Sequence, residues 1–215
     1  MNDGAPLGRR SMSEARRSPS VKPITRTTMR TCFALAVWAA AATAASAADF
    51  TFESTTQVTE WKVSRGGKPV MVYAFDPGRF KPYVKELRTV TGDNLLRDAP
   101  FDHLHHHALM YAIRVNGLNF WEEVPGSGVQ RVVRTIAPKE SAEGTAQIRQ
   151  TIHWVAPQDA FLPDTGRVAL LAEERTLSLT VNDERREVAL RWHSEFTVGT
   201  NAVTLAGANY FGLGA

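Results

Sequence analysis

The sequence predicts an all-β protein built as an antiparallel β-sandwich. Three observations carry this reading. Apolar and polar residues alternate with period two over much of the chain beyond residue 48, turn-forming residues recur at short spacing, and helical periodicity is scarce.

The elements follow in order. Glu60–Val63 and Val70–Phe75 flank Arg65-Gly66-Gly67-Lys68, where a Gly-Gly pair marks a tight hairpin. Tyr83–Val90 reads as a strand ending at the turn Thr91-Gly92-Asp93-Asn94. Leu109–Val115 and Leu118–Trp121 are strands around Asn116-Gly117. Val129–Ile136 and Gln147–Val155 come next, then the polar, Pro-containing loop Pro157–Gly166. Ala169–Val181 and Glu187–Val198 pair around Asn182-Asp183, and a last strand-like stretch starts at Thr204. No internal repeat or low-complexity linker divides the body.

Two strands carry a histidine opposite a tryptophan. In Glu187–Val198, Val188, Leu190, Trp192, Phe196 and Val198 share one face, while Arg191, His193, Glu195 and Thr197 share the other. In Gln147–Val155, Ile148, Ile152 and Trp154 lie opposite Arg149, Thr151 and His153. The two polar faces are expected to line a groove, with His193 and Glu195 as catalytic candidates and His153 as a substrate contact.

Charge is divided unevenly along the 215 residues. Residues 1–47 hold seven Lys/Arg and two Asp/Glu, a charge of +5, whereas residues 48–215 hold eighteen and twenty, a charge of −2. The basic pI belongs to the leader, so the body lacks the clustered basic face that nucleic-acid binding needs. Arg26 and Arg30 precede the apolar run from Cys32 to Ala45, and Ala45-Ser46-Ala47 offers a small-x-small cleavage site. This is the layout of a secretory signal peptide with its core at 29–47. The run is too short to span a bilayer comfortably. The expected product is a periplasmic or extracellular domain of residues 48–215. It is cysteine-free, because Cys32 leaves with the leader, and it keeps no membrane span.

The most unusual segment is Asp102-His103-Leu104-His105-His106-His107, with four of the six histidines. In an extended conformation His103, His105 and His107 point one way and His106 the other. Imidazoles at i and i+2 can ligate one divalent metal ion, which makes His103, His105 and His107 the metal candidates. The same rings can act as acid or base, so His103, His105 and His106 are catalytic candidates, with Asp102 orienting one of them. Asn119-Phe120-Trp121-Glu122-Glu123 sets aromatics beside carboxylates, which suits sugar recognition through Trp121 and Glu122, or else a core Trp with solvated Glu. Glu173 and Glu174 are adjacent in a strand and point to opposite faces, so they do not meet on one substrate.

Lys81-Pro82-Tyr83, Leu87-Arg88-Thr89, Gly92, Asn94, Leu96-Arg97-Asp98 and Asp102-His103-Leu104-His105-His106 form one motif block, and Val115–Glu122 forms a second. Together they resemble a bacterial secreted family labelled "methane oxygenase PmoA". The resemblance implies an all-β sandwich, of galactose-mutarotase-like supersandwich type, that binds or turns over a carbohydrate or glycoside-like small molecule. Arg88, inside the first block, joins the substrate-binding candidates on this ground. The label does not bring the membrane enzyme's activity, because residues 48–215 hold no run long enough to span a bilayer. The chain departs from the pattern at Leu104 and at His107-Ala108, where the family has Pro and Arg-Gly. It stops at Tyr210–Ala215, where that family continues, so a C-terminally incomplete sandwich is expected. Three functions remain open: a carbohydrate-active enzyme, a non-catalytic sugar- or partner-binding sandwich, and a His-cluster metal-binding protein.

Overall fold

The structure is a computed structural model that describes residues 49–54, 57, 59–159 and 169–214. The leader with its signal peptide, most of the Pro157–Gly166 loop and Ala215 lie outside the described residues. Among those described, the chain is all-β apart from a 3₁₀ turn at Pro157–Asp159. No helix among them is long and apolar enough to cross a membrane.

Two four-stranded antiparallel sheets form the body. The first contains β1 (Phe50–Ser54), β2 (Glu60–Arg65), β3 (Lys68–Ala74) and β4 (Tyr83–Leu87) in that spatial order. Gly66 and Gly67 both take positive φ, 54° and 76°, the conformation a two-residue hairpin with native twist demands. β1 was not anticipated by the sequence reading. It is short, abuts the leader and is recognisable only by its pairing with β2. The second sheet is a meander of β8 (Val129–Glu140), β9 (Ala146–Val155), β10 (Ala169–Asn182) and β11 (Glu187–Thr197). β8 runs past Ile136 through Pro138. An edge strand tolerates a residue with no N–H, and its pairing with β9 shifts register between Ile136 and Lys139.

The sheets pack face to face. Phe50, Val63, Met71, Tyr73 and Val84 of the first meet Ala146, Ile148, Leu177 and Leu179 of the second in one buried cluster. At about 1.5–3 kcal/mol for each large apolar side chain, this burial is the main driving force for the sandwich. A second cluster joins Trp154, Ile152 and Leu171 to Tyr83, Met110, Phe120 and Trp121. Gly128 is required there: a Cβ would sit 2.5 Å from the Phe120 ring.

Smaller strands close the sandwich around that second cluster. The expected strand Leu109–Val115 divides at Ile113 into β5 (Met110–Ala112) and β6 (Arg114–Val115), because the two halves pair with different partners. β6 lies between β7 (Leu118–Asn119) and β12 (Leu205–Ala206), and β5 pairs with β13 (Gly212–Gly214). β7 ends early because the Asn119 Oδ1 accepts the N–H groups of Trp121 and Glu122, at 2.9 and 3.4 Å.

A buried ion pair lies between the sheets. Arg175 donates twice to Glu173, at 2.7 and 2.9 Å, and both residues are at most 1% exposed. The remaining guanidinium hydrogens reach the Tyr73 hydroxyl, the Pro82 carbonyl and the Gln130 Oε1. Trp154 Nε1 and the Ser194 hydroxyl complete the Glu173 carboxylate. Burial opposes both charges, yet Arg175 holds Glu173 below the usual carboxylate range, and Glu173 keeps Arg175 charged. Glu174, on the opposite face, accepts instead from the Thr151 hydroxyl at 2.6 Å.

Candidate functional site

The His segment leaves the first sheet after β4 and returns to it through the Val84–Leu109 bridge. It is not extended. The His103 N–H donates to the Pro100 carbonyl and the His106 N–H to the His103 carbonyl, which makes two successive turns. The Asp98–His107 bridge closes their base. The strand rule that put His103, His105 and His107 on one side therefore does not apply. The turns gather His103, His105 and His106 instead, with ring centroids 4.5–6.2 Å apart, and send His107 inward.

His107 is 1% exposed and anchors the site from below. Its Nδ1 lies 2.9 Å from Asp98 Oδ1 and its Nε2 lies 3.1 Å from Glu123 Oε2. Its ring stacks on Tyr83 at 4.5 Å, and the Tyr83 hydroxyl donates to the other Asp98 oxygen at 3.1 Å. Lys81, fully buried, donates to Glu123 Oε1 and to the Trp121 carbonyl, each at 2.8 Å. Two carboxylates thus face one ammonium and one imidazole, and only the imidazolium form donates to both carboxylates at once. Burial pulls the Lys81 ammonium below its usual range, with Glu123 opposing. Burial pushes Glu123 up, but His107 and Lys81 outweigh it and hold the carboxyl low. Burial and the Asp98 charge together push the Tyr83 phenol up.

The solvent side is formed by the three gathered rings. Burial, then the Lys81 charge, lowers the His105 pKa; burial, then His105 and His103, lowers that of His106. Both rings are therefore neutral near neutral pH and able to take a proton. Asp102, its carboxyl held low by hydrogen bonds from its own backbone and from His103, lies 3.2 Å from His103 Nδ1 and orients that ring. His106 meets Trp121 edge-on at 5.6 Å. Beyond it opens a cleft of ≈310 Å³ bounded by Ala108, Met110, Tyr210, Phe211 and Leu213. A cleft of ≈330 Å³ elsewhere is lined by Arg65, Lys68, Thr89 and Val181. Its Arg65 is committed to Asp49 and Asp183 and no histidine lines it, so of these two clefts the one beside His106 is joined to the imidazole cluster.

The other candidates separate from this cluster. His193 and Glu195 contact one another at 3.2 Å on the exposed face of β11, while Trp154 and the core that backs the His loop lie on the inner side of that sheet. His153 is on the same outer face but two strands over and four residues along from His193, about 16 Å away. The three share one face, as the alternation predicts, but the register sets His153 well apart from His193 and Glu195. Arg88 is spent on Glu86 at 2.7 Å and on the Gly92 carbonyl, at the turn end of β4. It lies about 13 Å along the strand from the Val84–Leu109 bridge. Trp121 is 5% exposed and covered by Phe211 at 5.5 Å, so its face is a wall and not a free stacking platform. Glu122 is exposed and close enough to favour the charged form of His105. Both His107 nitrogens are occupied by carboxylates. Among the described residues no three His, Cys, Asp or Glu side chains are placed to hold a metal ion, so the set His103, His105 and His107 does not form a ligand triad.

Lys81, Asp98, Tyr83 and Glu123 were not singled out as site residues by the sequence reading. Three of them sit in the first motif block and Glu123 directly follows the second. No local pattern shows that they meet under one imidazole.

No curated protein and no solved structure matches the chain. A family described as "Family of unknown function (DUF6807)" matches residues 60–215. That match corrects the resemblance drawn above: the motif blocks fall inside this family, and nothing in the match carries the methane-oxygenase label. The chain belongs to this family of unknown function, DUF6807.

Proposed function

We propose that the domain binds a carbohydrate or similar hydroxylated ring at the His103–His106 loop and turns it over by acid–base chemistry. The carrying observation is the convergence of three solvent-facing imidazoles, 4.5–6.2 Å apart, on a buried charged base. His105 and His106 are held neutral and suit proton acceptance from a hydroxyl. Asp102 with His103 provides an oriented partner within the same cluster. Exposed Glu122 adds an acceptor for a neighbouring hydroxyl. The leader sequence supports work outside the cytoplasm.

The test is turnover by the full chain on a panel of glycans and synthetic glycosides, repeated with His105→Ala and His106→Ala. Loss of a general acid or base costs about 10²–10⁴-fold in rate. Undiminished turnover in both variants overturns the proposal.

A further inference from the structure

The cleft beside His106 differs in chemistry from the His loop. Its bounding side chains are Ala108, Met110, Trp121, Phe211 and Leu213, with the His106 imidazole and the Tyr210 phenol as its polar side chains. An apolar cavity of about 150 Å³ is known to hold benzene. A volume of ≈310 Å³ therefore has room for a substituted or bicyclic ring. Two further features agree. Phe211 and Trp121 stack at 5.5 Å and 16°, so two parallel aromatic rings border the cleft. Gly214 keeps the β13 side clear, since a Cβ there would reach within 3.0 Å of Trp121.

We infer that this cleft is a subsite for a planar apolar group, such as an aryl aglycone, carried by the hydroxylated ring that the His loop binds. The inference rests on the carbohydrate reading above and names the substrate class of that same site. His106 and Trp121, 5.6 Å apart, are the junction between the two halves. A ligand with a hydroxylated ring on one side and an aromatic ring on the other would contact both.

The experiment uses the full chain and matched pairs of methyl and phenyl glycosides, with phenol alone as a third probe. Affinity is read by calorimetry and ring placement by saturation-transfer NMR. Phenyl members should bind about tenfold more tightly than their methyl partners, because the open cleft covers only part of the ring. Tyr210→Gly, which the backbone φ of 79° accommodates, and Leu213→Ala should each reduce that ratio and leave methyl-glycoside affinity unchanged. Methyl and phenyl members of equal affinity overturn the subsite while the carbohydrate reading stands. Phenol binding as tightly as phenyl glycosides keeps the apolar cleft and overturns its link to a sugar. Absence of binding by all three probes overturns both.

Discussion

Replacing Glu123 by Gln, Lys81 by Met, and both together isolates the charge balance under the His loop. Among the described residues Glu123 is the only carboxylate hydrogen-bonded to Lys81, at 2.8 Å, and the Lys81 side chain is fully buried. Glu123→Gln leaves a buried ammonium with only neutral acceptors and strips one carboxylate from His107. Breaking a buried pair from one side costs about 3–5 kcal/mol. The 16% exposure of Glu123 puts this case at the lower end, about 3 kcal/mol. Lys81→Met is milder, about 1 kcal/mol, because Glu123 keeps His107 and the costly ammonium is gone. The double variant should be more stable than Glu123→Gln alone by about 2 kcal/mol. Urea unfolding at pH 7 measures all three. Additive losses in the double variant would refute the pairing.

The same residues set a pH dependence with two limbs. The Glu123 carboxyl titrates lower in the fold than its ordinary 4.5, so its contribution is complete above that value and is lost as pH falls through the folded pKa. The Lys81 ammonium titrates below its ordinary 10.5 in the fold. The unfolded chain then binds more protons in that window, and stability rises with pH up to 10.5. Lys81→Met should remove the alkaline rise and Glu123→Gln should reduce the acid loss, both followed by urea unfolding across pH.

Arg175→Met strands the Glu173 carboxylate between the sheets and should cost about 3–5 kcal/mol, measured by chemical denaturation; a neutral result would remove the ion pair from the account of the fold. Gly128→Ala drives a methyl into Phe120 at 2.5 Å and should lose about 1–3 kcal/mol, with near-ultraviolet circular dichroism reporting the displaced aromatics. Any turnover at the His loop should keep an acid limb whose midpoint lies below the ordinary histidine value of 6.5, because His105 and His106 hold their neutral form to lower pH. A pH–rate profile checks it, and a midpoint above 6.5 contradicts their role as proton acceptors.

The alternation that placed Trp154 opposite His153 and Trp192 opposite His193 was readable locally, and the structure keeps both assignments. The Gly66-Gly67 and Asn116-Gly117 turns were readable for the same reason: their backbone demands positive φ, and few residues provide it. The His segment was visible by composition, but its geometry was not. Turns at Pro100–His103 and His103–His106 replaced the extended conformation that period-two reasoning assumes.

Sequence alone determined most of the strand content, the two-faced alternation of β9 and β11, and the concentration of imidazole in one loop. These follow from local pleat, turn and composition rules. Tertiary structure decided which of those groups share a site. The β9–β10–β11 register set His153 and His193 about 16 Å apart on an outer face. Separately, β4, the 96–109 loop and the chain after β7 brought Tyr83, Asp98, His107, Glu123 and Lys81 within hydrogen-bonding or stacking contact. The physical reason is that such a cluster is held by long-range pairing of elements. Sequence patterning within any one of them encodes a face, while the neighbour across the core is set by how the sheets dock.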